Sequence, residues 1–370
     1  MTTHLDGPGV RRARLHAQLL GGTGQGRDVP GVVSAVVGVQ AQDLAAAALC
    51  IRARAPDTRV ADVVAALGPA RSVVLTWSLR GTRHLHHAAD LRWLVGLLGP
   101  VFSRPGRRAR QLGIAGEAGD RAVAAVRDAL SSGGPLTRPE IKERLASVGV
   151  DTSGQAPVHV LQRAALEGIL CVLPDPHGEE RYVLLDEWVP PSEPVEPERA
   201  LPVLADRFLS AHGPATPADF RAWSGLPSAL ARTAWEGLAG RLLEVDGPAG
   251  PAWVLARRRE AVLAAAEDPG PLRLTGGFDS LLLGYADRSL LLSPGQAGRV
   301  NAGGGLLKPV VLDDGQVVGT WRYVRERPRD RIRVTSFGPL DRAAPGLDRE
   351  AEGIGRFLGT DPVLDLEGAG

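Results

Sequence analysis

The sequence predicts an α+β chain of three tandem winged-helix units followed by a small β-barrel-like domain at the C-terminus. Three observations predict it. Apolar residues recur at helical spacing in blocks, and each block closes on a pair of apolar runs about a polar turn. That helix-helix-helix-hairpin order, the order of a winged helix, occurs three times. From about Leu272 the helical period gives way to β-rich runs separated by Gly and Pro. A chain of 370 residues has room for roughly two to four domains. The expected boundaries are 10–115, 116–190, 198–271 and 272–370.

In the first unit, "VRRARLHAQLL" has helical spacing, and "DVPGVVSAVVGV" follows with Asp28 placed as an N-cap and Pro30 near the first turn. "QAQD" interrupts, and "LAAAALCIRARA" resumes as a helix. "TRVADVVAALG" is the next helix, capped by Thr58 and closed by Gly68. "SVVLTWSLRGTRHLHHA" reads as two strands about a turn at Arg80–Gly81–Thr82.

The second unit begins with a helix, a turn and a second helix in "DRAVAAVRDALSSGGPLTRPEIKERLASVG", with Thr137 and Glu140 at capping-box spacing. "APVHVLQRAALEGIL" is a helix, and "CVLPDPHGEERYVLLDEWV" reads strand, polar turn, strand. "PPSEPVEPE" (190–198) is a linker. The third unit repeats the order and ends in a hairpin around "DGPAG". Beyond it, "LLLGYADRSLLLSP", "LLKPVVLDDGQVVGTWRYVRE" and "RIRVTSFGPL" are β-rich, Asp314–Gly315 is a hairpin turn, and "LDREAEGIGRFLG" is a terminal helix.

Composition narrows the function classes. Hydrophobic residues at 44% and charged residues at 23% fit a soluble globular protein. A formal net charge of +1 gives no global positive field, so any nucleic-acid contact needs a local basic face. Cys50 and Cys171 lie in separate apolar runs, which predicts buried free thiols and no disulfide framework. The N-terminus lacks a signal-peptide core and no apolar run reaches membrane-span length, so a cytoplasmic protein without a membrane partner is expected.

"GVQAQD" (Gly38 to Asp43) raises the sharpest question. In a helix, Gln40 and Gln42 would point about 200° apart; in an extended link they project to the same side. Two exposed linker glutamines and two amides converging on one target both remain open on spacing alone. His84 and His86 in "RHLHH" share a strand face, yet no third ligand lies at a compelling position, and no metal site is expected. "GGTGQG" (Gly21 to Gly26) follows a helix and lacks the Gly-Lys-Ser/Thr ending of a phosphate loop. The arginines of "WRYVRERPRDRIR", Arg322 through Arg333, fit either a phosphate grip or a salt-bridged face with Glu326 and Asp330. No nucleophile elbow, Ser-His-Asp order or Cys-x-x-Cys pair occurs.

"GVQAQD", "TWSLRGTRHLHHAADLRWL", "GPATPADFRAWSGL", "FDSLLLGYADRS" and "PVVLDDGQVVGTW" occur in this order. Together, from roughly Arg11 to Trp321, they resemble the AlkZ/YcaQ-like family of winged-helix DNA glycosylases, in its AlkZ-like Gln-x-Gln branch. The resemblance implies catalysis by Gln40 and Gln42 and excision of bulky N7-alkylpurines, with unhooking of interstrand crosslinks and self-protection of a producer. It implies DNA-facing roles for Arg80, Thr82 and His84, and pocket roles for Asp279, Tyr285, Asp287 and Arg288. Asp43 is a further candidate for holding the water, and Arg322 for touching DNA.

An amide does not titrate near neutral pH and is no ordinary general base. The base must therefore be poised to leave, which a cationic N7-alkylguanine is. The expected partner is double-stranded DNA carrying alkylated purines, met by a monomer that needs no cofactor. The alternatives are a non-enzymatic winged-helix regulator and a drug-sequestering protein with a cleft lined by Trp77, Trp93 and Trp321.

Overall fold

The structure, a computed structural model, describes residues 3–174, 179–339 and 346–367. It is a mixed α+β molecule with several sheets. Two compact units make it up: Met1–Val63 together with Leu201–Gly370, and Val64–Ala200.

The chain opens with strand β1 (Thr3–His4) and helix α1 (Gly7–Ala17). Helix α2 (Val29–Ala35) starts on Asp28, whose carboxylate accepts from Gly31 N, with Pro30 in the first turn. A short strand β2 (Val39–Gln40) then leads to α3 (Leu44–Arg54) and α4 (Val60–Leu67). Thr58 does not cap α4 as its position suggests. It stands two residues before the helix, its hydroxyl donates to Ala55 O, and the Asp62 carboxylate accepts from Arg59 N instead.

In the unit Val64–Ala200, β3 (Val73–Trp77) and β4 (Arg83–His87) form an antiparallel hairpin with Thr76 opposite His84. Then come α5 (Ala88–Phe102), α6 (Arg107–Gln111), α7 (Glu117–Gly133), β5 (Leu136–Thr137) and α8 (Arg138–Ser147). The expected capping box forms: Thr137 N donates to the Glu140 carboxylate and Glu140 N to the Thr137 hydroxyl. Helix α9 (Ala156–Leu166), strands β6 (Leu170–Leu173) and β7 (Arg181–Leu184) and the short α10 (Leu185–Trp188) complete the unit. The turn between β6 and β7 lies largely outside the described residues. Within this unit the sheet runs β4-β3-β6-β7-β5. Val74, Leu91, Cys171 and Val183 are among the buried residues of its core.

After α11 (Pro197–His212), the chain folds α12 (Pro217–Ser224) and α13 (Ser228–Glu236), then a hairpin of β8 (Leu242–Gly247) and β9 (Gly250–Leu255). Strand β1 adds to β8 in parallel, a pairing between distant segments that no local pattern announces. Helix α14 (Arg259–Glu267) packs on α1, with Val10, Ala13, Val262 and Ala266 buried in one cluster.

The C-terminal part holds β10 (Arg273–Thr275), the short helices α15 (Ser280–Leu283) and α16 (Ala297–Val300), β11 (Val310–Asp313), β12 (Gln316–Val324), β13 (Arg331–Ser336), α17 (Leu347–Leu358) and β14 (Val363–Glu367). Its strands run β10-β11-β12-β13-β14. The sheet is open and the expected barrel does not close. Helix α17 crosses over between parallel strands β13 and β14 and lays Leu347, Ala351 and Ile354 against Leu274, Trp321, Ile332 and Val334. A helix thus covers the apolar face that closure would otherwise have to enclose. "LLLGYADRSLLLSP" is likewise not a strand but one helical turn, α15, followed by turns. A short apolar run cannot be told from a buried helical turn by periodicity. Leu49 of α3 packs against the same core, so this domain stands behind the helix that follows the Gln-x-Gln motif.

Candidate active site

The motif begins with a sharp bend. Val37 and Gly38 both take positive φ, 60° and 107°, and Gly38 N bonds back to Val33 O. Glycine adopts this conformation freely, whereas a β-branched residue does so at a cost of about 1–3 kcal/mol. Burial of the Val37 side chain, 2% exposed, holds it there. The bend ends α2 and sends residues 39–42 out without helical structure. Val39 and Ala41 are buried at 0% and 1% exposure. Strand geometry covers only Val39–Gln40, and the chain bends at Gln42. Gln40 is buried and Gln42 is exposed.

Asp43 caps α3, its Oδ1 accepting from Ala45 N at 2.9 Å and Ala46 N at 3.1 Å. The remaining oxygen, Oδ2, makes no bond among the described residues. The other end of α3 is pinned by two buried ion pairs. Arg52 donates to Glu350 at 2.6 Å, and Arg54 meets Asp279 with two bonds of 2.7 and 2.9 Å. Arg54 also donates to Gln18 Oε1 and Cys50 O. Burial would raise the Asp279 pKa, but the charge and hydrogen bonds of Arg54 outweigh it and hold the carboxyl below its ordinary range. Gly276 allows the loop after β10 to touch this helix, since a Cβ there would stand 2.1 Å from Ala46 O.

The segment "FDSLLLGYADRS" therefore has a divided role. Asp279 and Tyr285 are buried, at 1% and 2% exposure. Asp279 caps α15 through Leu281 N and pairs with Arg54. The Tyr285 hydroxyl donates to His212 O, and the Arg14 guanidinium lies 3.8 Å from its ring centre; burial raises the phenol pKa. Asp287 is exposed and accepts from the Ser289 amide and hydroxyl. Arg288 is half-buried, and its pKa is lowered by burial. Arg54, Arg14 and Gln18 were missed by sequence reading. Their one signal is charge within apolar helical runs, as in "LCIRARA".

Arg80, Thr82 and His84 come together in the β3–β4 hairpin of the other unit. Arg80 and Gly81 take positive φ, 55° and 68°, and Gln162 Nε2 fixes the turn by donating to Gly81 O at 2.7 Å. The Thr82 hydroxyl donates to Leu79 O. Burial lowers the pKa of Arg80 to about 10. His84 bonds Thr82 O and stacks on His86 at 5.7 Å between ring centres. Burial first, then the charges of Arg80 and His86, depress its pKa far below the ordinary histidine value. Both rings are buried, and among the described residues no cluster of His, Cys, Asp or Glu has the makings of a metal site.

Arg322 pairs with Glu367, and Arg331 and Arg333 both reach Glu326 and Asp365. Asp330 instead accepts from the Tyr323 hydroxyl. Trp77, Trp93 and Trp321 are at most 9% exposed. Among the described residues no helix is long and apolar enough to cross a membrane.

A family model described as DNA glycosylase AlkZ-like matches residues 33–357. The chain is 32% identical over 354 residues to an interstrand DNA cross-link repair glycosylase of Streptomyces sahachiroi, covering 89% of this chain and 90% of that one. The solved structure of the Streptomyces sahachiroi DNA glycosylase AlkZ superposes with a TM-score of 0.83 at 28% identity, over the whole of both chains. Matched over most of its length in sequence and over all of it in fold, the chain belongs to the AlkZ-like family of DNA glycosylases.

Proposed function

We propose that this glycosylase hydrolyses the N-glycosidic bond of bulky N7-alkylpurines in duplex DNA, with Gln40 and Gln42 as its catalytic residues. The observation that carries the reading is the non-helical link between α2 and α3, which is buried at Val39, Gln40 and Ala41 and opens to solvent at Gln42. An N7-alkylated purine carries formal positive charge and leaves neutral, so no general acid is needed on the base side. Positive charge instead grows on the deoxyribose as the bond stretches. The carbonyl oxygens of the two glutamines face that charge and orient the attacking water. A preorganised dipole of this kind supplies about 3–4 kcal/mol in the better cases. Asp43, with one oxygen committed to the helix cap, holds the water with the other.

The tandem helix-helix-helix-hairpin order supports three winged-helix units with boundaries at 10–115, 116–190 and 198–271. Arg80 and Thr82 at the first hairpin turn, with Asp287 and Arg288, contact DNA around the lesion, and the protein acts as a monomer. A bulky or crosslinked purine resists flipping into a snug pocket, so excision proceeds in an open cleft. Interstrand cross-link repair is what the Streptomyces relative is named for, and the same reading extends to unhooking of crosslinks and to protection of a producer from its own DNA-alkylating product.

Mass spectrometry of bases released from duplexes treated with several N7-alkylating agents tests the reading. Free N7-alkylpurine is expected, with an abasic site left in an unbroken strand. DNA binding without release of any base would overturn it.

A further inference from the structure

Between Leu91 and Gly116 the sequence has five arginines and no aspartate or glutamate. Arg92 is paired with Asp186. The other four, Arg104, Arg107, Arg108 and Arg110, are exposed on and beside α6. None of the four takes part in an ion pair among the described residues. The hydrogen-bond acceptors of Arg108 and Arg110 are neutral. Arg108 donates twice to Gln155 Oε1, at 3.2 and 2.8 Å, and once to Gln111 Oε1; Arg110 donates to Pro105 O. Both guanidiniums are thus oriented without being neutralised. Arg104 and Arg108 also line a groove of about 210 Å³, together with His159 and Gln162.

On the arginine-rich β12–β13 hairpin, by contrast, Arg322, Arg329, Arg331 and Arg333 are paired, with Glu367, Asp361, Glu326 and Asp365. In a chain of net charge +1, a cluster of uncompensated arginines is where an anionic polymer gains most. We propose that Arg104, Arg107, Arg108 and Arg110 grip the phosphate backbone of duplex DNA and supply the sequence-independent share of its affinity. The proposal rests on duplex DNA being the substrate, and it assigns the grip on phosphate to α6 in place of the paired arginines of β12–β13.

The test is the salt dependence of binding to a labelled, undamaged duplex, followed by fluorescence anisotropy from about 50 to about 200 mM KCl. For Arg104→Gln/Arg107→Gln/Arg110→Gln the slope of log K against log salt becomes shallower by about 0.9 for each phosphate no longer neutralised. The affinity loss is equal on duplexes of unrelated sequence. The corresponding triple Lys variant keeps the wild-type slope, and so does Arg331→Gln/Arg333→Gln. A wild-type slope in the triple Gln variant overturns the proposal. A triple Lys variant as shallow as the triple Gln variant also overturns it, since packing rather than charge would then be at work. The duplex holds no lesion, so a failure of the excision chemistry leaves this readout untouched.

Discussion

At the scale of the residue, the proposed chemistry lies in three neighbours. Gln40→Ala and Gln42→Ala are each expected to lower the single-turnover excision rate about 10²-fold, the usual loss when one preorganised dipole is removed. Asp43 has two roles that substitution separates. Asn caps a helix about as well as Asp, while Ala costs about 1 kcal/mol. Asp43→Asn should therefore keep the melting temperature and lose rate, whereas Asp43→Ala loses both. Thermal melts set beside excision rates check this, and an Asp43→Asn enzyme of full activity would leave the carboxylate with the cap alone. The helix break at Gln40 and Gln42 was legible in the sequence, because helix breaks are local. The sequence could not show that Asp279 faces Arg54, since that ion pair joins residues 225 positions apart.

The element scale is set by α3, which carries the motif before its N-terminus and is held near its C-terminus by Arg52–Glu350 and Arg54–Asp279. Removing one partner of a buried pair strands a charge, at about 3–5 kcal/mol, while replacing both by apolar residues can be neutral. Asp279→Leu should thus melt well below wild type, and Arg54→Met/Asp279→Leu should recover much of the loss in a double-mutant cycle. Additive losses would mean that the pair does little for α3. Helix and hairpin identities were legible here from capping boxes and turn residues. The open C-terminal sheet was not, because strand count and an Asp-Gly turn do not reveal that α17 will cover its face.

For the whole molecule, buried histidines tie stability to pH. Burial pushes His212 down to about 3, and His84 is also far below its ordinary value. The unfolded chain takes up protons near pH 6.5 that the folded one refuses. Stability is therefore lost as pH falls below about 6.5, by up to about 1.4 kcal/mol per pH unit for each histidine. Asp279, depressed by Arg54, adds a second loss below its unfolded value of about 3.9 as pH falls through its folded one. Urea unfolding at pH 7.5 and 5.5 should show the wild type weaker at the lower pH, with His212→Gln narrowing the gap. A gap unchanged in that variant would remove His212 from the account. Net charge and composition pointed to a globular chain, but not to which arginines are paired, because ion pairing is decided by strands and helices far apart in sequence.

The most direct measurement is single-turnover release of N7-methylguanine from a duplex by the wild type, Gln40→Ala and Gln42→Ala, with undamaged-DNA affinity measured alongside. Rapid release by the wild type, slowed by orders of magnitude in each variant at nearly constant affinity, is the predicted result. Release at wild-type rate by both variants would contradict the assignment of catalysis to the two amides.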